Sequence, residues 1–169
     1  KAIEINPNHI ESHNNLGVIF KELGENQKAK SCYEIAIEIN PNYADAHNNL
    51  GVIFKELGEI EKAQSCCEKA IKINPNHFDA HNNLGNIFLI LRENQKAQSC
   101  YEKAIEINPN LVEAYNNLGV IFSYLNENQK TKNCFEKAIE INPNYLGAHI
   151  NLANIYISQL TDFEIAISK

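Results

Sequence analysis

Arginine occurs once in this 169-residue chain, at Arg92, and the formal net charge is -6. An acidic surface with so few guanidinium groups has little to set against a phosphate backbone, which excludes nucleic acid as a partner. No apolar run approaches the roughly 20 residues of a helical membrane span, so a membrane role is excluded too. No stretch is patterned as a secretory leader or a basic tail, and no Asn lies in an N-x-Ser/Thr sequon. No nucleophile–base pair, phosphate-cradling loop or convergent set of carboxylates occurs. The chain itself is therefore expected to be non-catalytic and without a cofactor. Methionine is also missing, the first residue is Lys1, and both ends fall partway through a repeated unit. These features read as a fragment of a longer protein, whose further domains would lie beyond it.

What the chain does contain is one phrase, said five times. HNNLGVIF at 13–20 returns at 47–54, as HNNLGNIF at 81–88, as YNNLGVIF at 115–122 and as HINLANIY at 149–156, always 34 residues on. A fixed period of this length marks a repeat array, in which each unit buries its apolar face against its neighbours. The period divides the chain into the end of a preceding repeat and its turn (1–9), full repeats at 10–43, 44–77, 78–111 and 112–145, and a truncated, irregular fifth at 146–169.

Within the first full unit, Leu16, Ile19, Phe20 and Leu23 recur at helical spacing, so 10–23 reads as a helix. Gly24 supplies a left-handed exit. A second helix is predicted from about Asn26 to Ile39, with Ala29, Cys32, Tyr33, Ala36, Ile37 and Ile39 facing inward. Asn-Pro-Asn then punctuates at 6–8, 40–42, 74–76, 108–110 and 142–144. Proline keeps the preceding Asn out of the helical state, and the following Asn is expected to cap the next helix. Each unit is thus an antiparallel helical hairpin. In the fifth, the segment at 162–166 lies one residue late, which predicts an inserted residue near the inter-helix turn and a chain stopping inside the second helix.

Leu16-Gly17, Phe20, Ala29, Tyr33 and Pro41, with their counterparts at 34-residue steps, resemble the tetratricopeptide repeat (TPR) pattern over essentially the whole chain. The resemblance implies an all-α, right-handed superhelix (an α-solenoid) of 34-residue antiparallel helix hairpins, with first helices lining a concave groove. Gly17, Gly51, Gly85, Gly119 and Ala153 would face Ala29, Ala63, Ala97, Thr131 and Ala166 for close helix approach. There are departures. His13, His47, His81, Tyr115 and His149 fill the tryptophan column; Cys67 replaces an aromatic and Thr131 an Ala, and both should loosen local packing.

The cysteines at 32, 66, 100 and 134 sit one repeat apart, too far for disulfides, and Cys66-Cys67 are adjacent. All five are expected to be reduced packing residues, which fits a cytoplasmic, reducing compartment. His9/His13 and His77/His81 are spaced four apart, but no Cys or carboxylate completes a metal site. Packing histidines are expected instead.

The Asn columns are the strongest functional signal. Asn15, Asn49, Asn83, Asn117 and Asn151 share an inner position on every first helix; Asn14, Asn48, Asn82 and Asn116 precede them as an outer column, broken by Ile150. An amide carries a donor and an acceptor together, which matches the peptide bond, so a run of them can hold an extended chain by its backbone. Near-identical duplication and Asn-favouring coding bias supply an alternative origin for both columns. The inner column resembles the asparagine ladder of the TPR arm of O-GlcNAc transferase, and the array resembles TPR arms of bacterial transferases. Along the array the groove turns apolar, from Lys21-Glu22 and Lys55-Glu56 to Leu89, Ile90, Tyr124 and Ile157. Glu11, Asp45, Asp79 and Glu113 rim the groove or complement helix starts. The Lys/Arg carboxylate clamp of co-chaperone TPR domains has no counterpart here.

Three functions follow. The first is a module binding an extended polypeptide in the groove, with protein or peptide as partner. The second is a substrate-recognition arm of a larger transferase. The third is a spacer or self-assembling scaffold, in which the two cut ends, each with an uncovered apolar face, would associate head to tail.

Overall fold

The computed structural model describes residues 9–167, apart from the side chains of Gln159 and of residues 161–167. The opening KAIEI stub, the first Asn-Pro-Asn turn and the contact expected between the two chain ends lie outside the described residues, as does the side chain of Ala166. All described secondary structure is helical: α1 (Ile10–Glu22), α2 (Asn26–Ile39), α3 (Ala44–Glu56), α4 (Ile60–Ile73), α5 (Phe78–Ile90), α6 (Asn94–Ile107), α7 (Val112–Tyr124), α8 (Asn128–Ile141) and α9 (Leu146–Ile167). The helices fall into two compact units, divided after Glu93. In the first, α1 pairs with α2 and α3 with α4, while α2 packs on α3, α4 on α5, and α1, α3 and α5 touch in succession. In the second, α7 pairs with α8 and also meets α6, and α9 packs on α8 and α7.

The tight turns have one chemistry. After α1, Gly24 N–H donates to Lys21 C=O at 2.9 Å and Glu25 N–H to Phe20 C=O at 2.8 Å. This double closure satisfies carbonyls that a helix end leaves orphaned, and it needs a left-handed residue between the two bonds. That residue is Gly24 (φ 74°), Gly58 (φ 77°), Arg92 (φ 61°) and Asn126 (φ 57°) in turn. The fifth unit has Leu160 at this place. A leucine in the left-handed region costs roughly 1–2 kcal/mol, and the chain avoids it: α9 continues unbroken for 22 residues. The expected turn and second helix of the fifth unit are therefore replaced by a single long helix.

The Asn-Pro-Asn turns also differ from expectation. The second Asn does not cap, because the helix starts two residues later; the N-cap positions are His9, Tyr43, His77 and Leu111. Of these four, His9 and His77 cap with a side chain, their Nδ1 accepting the N–H of Ser12 and Ala80. The first Asn does the local work. The Oδ1 atoms of Asn40, Asn74, Asn108 and Asn142 accept the N–H of Asn42, Asn76, Asn110 and Asn144 at 3.0–3.1 Å. These are Asx turns that fold the chain over the proline. The histidine column then fastens them: Nε2 of His47, His81 and His149 lies 3.0, 3.0 and 2.8 Å from the carbonyl oxygens of Pro41, Pro75 and Pro143.

Gly51 does meet the expected Ala63, whose carbonyl oxygen lies 3.2 Å from where a Cβ on Gly51 would stand, but at Gly17 and Gly119 the nearest partner is a different one. A Cβ on Gly17 would meet the Tyr33 ring at 2.5 Å, and one on Gly119 the Phe135 ring at 2.6 Å. The glycine makes room for the aromatic column of the paired helix. In the second repeat the ring is absent and Gly51 faces Cys67 Sγ, 2.8 Å from where a Cβ would stand. Cys67 and Thr131 are both fully enclosed, and Thr131 Oγ1 donates to Glu127 C=O at 3.0 Å. The loosening expected at these two positions is not seen. In the α1 stripe, Ile19 and Leu23 are mostly exposed, whereas Ile53, the counterpart of Ile19, is buried in α3, which has helices on both sides.

Candidate functional site

The two asparagine columns bond to each other across repeats. Asn49 Nδ2 donates to Asn14 Oδ1 at 3.0 Å, Asn83 Nδ2 to Asn48 Oδ1 at 2.9 Å, and in the second unit Asn151 Nδ2 to Asn116 Oδ1 at 2.9 Å. Each bond joins residues 35 apart, because the inner amide of one first helix reaches the outer amide of the first helix before it. The outer amides Asn14, Asn48 and Asn116 are buried under this contact, and Asn82 is buried with no hydrogen-bond partner for its Oδ1, while Asn49, Asn83, Asn117 and Asn151 are half-exposed and Asn15 is exposed. Within a helix, Asn48 and Asn116 turn their own amides toward Asn49 and Asn117 at the longer distances of 3.5 and 3.4 Å. A carboxamide has two N–H donors and an oxygen with two lone pairs. The ladder bond spends one N–H of each inner amide. A second N–H and acceptor capacity on Oδ1 remain at Asn49, Asn83 and Asn151.

Aromatic hydroxyls lie close behind the columns. The Tyr101 phenol is hydrogen-bonded by Asn117 and, buried, titrates well above the ordinary tyrosine range. Tyr33 is fully buried, and burial, reinforced by Cys32, Glu56 and Glu22, pushes its phenol up to about 12. Both therefore stay neutral at physiological pH.

Of the apolar groove positions, Ile90 in the first unit and Tyr124 and Ile157 in the second are exposed, and Leu89 is half-buried. Tyr124 borders a cavity of about 440 Å³ formed by α7, the turn after it, α8 and α9, which the inner Asn151 also lines. The first unit has a cavity of about 490 Å³ bordered by Glu34, Glu38 and Lys69. Of the acidic rim, Asp45 Oδ1 lies 3.1 Å from Nε2 of His77, in the turn before the next repeat. The five cysteines are free thiols, and burial raises Cys66 and Cys134 to about 11. They are held as unreactive thiols. Among the described residues no three His, Cys, Asp or Glu side chains converge as a metal site, and no described helix is long and apolar enough to cross a membrane.

The ladder register and the histidine–proline bond were not read from the sequence. Each had a signal, in the paired 34-residue Asn columns and in a His six residues after Pro in successive turns.

Helices of repeating length, closed by one turn chemistry, are matched by the family model described as Tetratricopeptide repeat over residues 44–77, 78–111 and 112–145. The chain belongs to the tetratricopeptide repeat family. Two further TPR family models match at 19–58 and at 1–31 and 134–167. The TPR fold of the chain is similar to the crystal structure of MamA, with 26% identity, 85% of this chain and 84% of that one covered, and a TM-score of 0.71. PilF of Pseudomonas aeruginosa matches at 23% identity over 90% of this chain and 69% of its own, with a TM-score of 0.84. TTC0263, a thermophilic TPR protein of Thermus thermophilus, matches at 20% identity, covering 89% and 82%, with a TM-score of 0.77. No curated protein sequence matches the chain. As a stack of TPR hairpins the chain is a protein-interaction scaffold.

Proposed function

We propose that each unit of this TPR scaffold holds an extended polypeptide by its backbone through the inner asparagines: Asn15, Asn49 and Asn83 in the first unit, Asn117 and Asn151 in the second. One observation carries the reading. The ladder fixes the amides of Asn49, Asn83 and Asn151 with one N–H and leaves donor and acceptor capacity on the same groups, which is what a peptide bond needs from its partner. The outer asparagines then act as the footing that orients the inner ones, since their amides are buried. Exposed Ile90, Tyr124 and Ile157 supply apolar contact alongside. Free thiols on all five cysteines fit a reducing compartment, and we place the protein in the cytoplasm.

The test uses a peptide selected on the immobilised protein from a displayed random library. Combining Asn49→Ala, Asn83→Ala and Asn117→Ala removes three backbone pairs, each contributing about 0.5–1.5 kcal/mol. Calorimetry should show affinity weakened by at least about tenfold at a temperature where the variant remains folded by circular dichroism. Unchanged affinity in the folded triple variant would refute backbone capture.

A further inference from the structure

The helix α9 departs from the other first helices along one side. Leu146, Ile150, Ala153, Ile157 and Leu160 follow one another at steps of four, three, four and three. Such steps line residues up in one stripe on a helix, here about 21 Å long. In α7 the same positions are Val112, Asn116, Gly119, Ser123 and Asn126, and in α3 they are Ala44, Asn48, Gly51, Lys55 and Gly58. Three of the changes remove a working part of the repeat. Ile150 replaces the outer asparagine that at Asn14, Asn48 and Asn116 accepts the following helix. Ala153 stands where Gly17 and Gly119 make room for the ring of a paired helix. Leu160 replaces the left-handed turn residue, and α9 runs on. The features that receive another hairpin are gone, and an apolar row stands in their place. Leu146, Ile150, Ile157 and Leu160 are 69%, 50%, 59% and 62% exposed. The opposite side of α9 is the one that packs inward, through Ala148, Leu152 and Ile155.

We infer that this stripe is a dimerisation surface, on which α9 lies parallel to α9 of a second copy of the chain. The residue types select the occupant. A two-helix seam alternates between two kinds of position, which here hold Ile150 and Ile157 in the first kind and Leu146, Ala153 and Leu160 in the second. Isoleucine in the first and leucine in the second favour two parallel strands over three or four. Each residue then meets its own counterpart, and from 146 to 160 the sequence has no Asp, Glu, Lys or Arg, so the seam brings no like charges together. The helix is already held by its inner side, so pairing does not have to order it first. One patch serves both copies, which closes the assembly at two and distinguishes it from head-to-tail stacking. A seam of about four helical turns is small, below about 1,200 Å². The dimer should therefore be reversible, with a dissociation constant on the order of tens of micromolar. Asn151 lies on another side of α9, so the inference is independent of backbone capture; Ile157 is the one residue the two readings share.

The experiment is sedimentation of the full chain from about 1 to about 200 μM, which should show a monomer passing into a dimer. Ile150→Glu and Ile150→Lys each place like charges opposite one another and should weaken the dimer at least about tenfold. Ile150 is half-exposed, so both variants should keep their helical circular dichroism and melt within a few degrees of the parent. An equimolar mixture of the two should regain a dimer at concentrations where each alone is monomeric, because in a parallel seam residue 150 meets residue 150. Ala153→Leu, which fills the small position of the seam, should tighten the dimer about tenfold. A parent that stays monomeric at about 200 μM would overturn the inference and leave the stripe to a different partner. A dimer that both charged variants form as well as the parent would overturn it too, since another surface would then hold the copies together. So would a mixture that remains monomeric, or an Ala153→Leu dimer no tighter than the parent's.

Discussion

Removing Asn48 tests whether the asparagine ladder fastens repeats to one another. Its amide is buried, accepts Asn83 Nδ2 at 2.9 Å and leans toward Asn49 Oδ1 at 3.5 Å. In Asn48→Ala the Asn83 donor loses its partner in a half-buried position, where partial access to water softens the penalty; about 1 kcal/mol is expected. Asn83→Ala is the harsher change. It leaves Asn48 Oδ1 buried with no donor, and a buried orphan acceptor costs about 1–3 kcal/mol. In the double variant both groups are gone, so the orphan penalty is not incurred twice. The double variant should therefore be more stable than the sum of the singles implies, by about 1 kcal/mol of coupling. Urea unfolding of the two singles, the double and the parent closes the cycle, and amide exchange in α3 and α5 locates the effect. Strict additivity would show that the 2.9 Å contact carries no net interaction and that the ladder does not join these helices.

Other consequences are quicker to check. Arg92 adopts φ 61° in a turn where Gly24 and Gly58 stand elsewhere, so Arg92→Gly should stabilise the chain by about 0.5–1 kcal/mol in urea melts; a loss of stability would contradict the turn argument. Leu160→Gly should restore a left-handed exit and accelerate amide exchange around residues 157–162 of α9, and unchanged protection would show that Leu160 does not keep the helix running. Exchange should be fastest beyond about residue 146 and slowest in the second and third repeats, since local stability in such an array follows neighbour contacts; uniform protection along the chain would count against this. The raised thiols set an alkaline limit: Cys66 and Cys134, shifted from 9.0 to about 11, bind their protons more tightly when folded. Their contribution is intact below pH 9 and lost as pH rises toward 11. Melting temperatures should fall across that window, and less steeply in a Cys66→Ala/Cys134→Ala variant.

The helical hairpins and their turns were legible because they depend on local chemistry repeated at a fixed interval. Gly24 announces a left-handed exit by composition alone, and position in the period carries the same reading to Arg92 and Asn126. By the same register Leu160 announces the missing turn, but the late phase of 162–166 drew attention to an insertion instead. What the sequence hid were contacts decided by three-dimensional register. Asn42 looks like a helix cap, yet the helix starts two residues later and the preceding Asn40 engages its N–H. Gly17 was matched to Ala29 by size, whereas the paired helix presents the ring of Tyr33 to it. The outer asparagines were placed beside the inner ones as further contacts for a ligand; the offset of one repeat plus one residue buries them as acceptors for the next helix.

Backbone capture is tested most directly from the side of the ligand, since changes to the inner asparagines also disturb the ladder. A selected peptide should be resynthesised with single backbone N-methyl groups at each position and, separately, scanned with alanine, every version being titrated calorimetrically against the unaltered protein. The account predicts that several N-methylations each weaken binding by about two- to tenfold, while most alanine replacements change it little. Binding that tolerates every N-methyl group but collapses on replacement of a few side chains would contradict it.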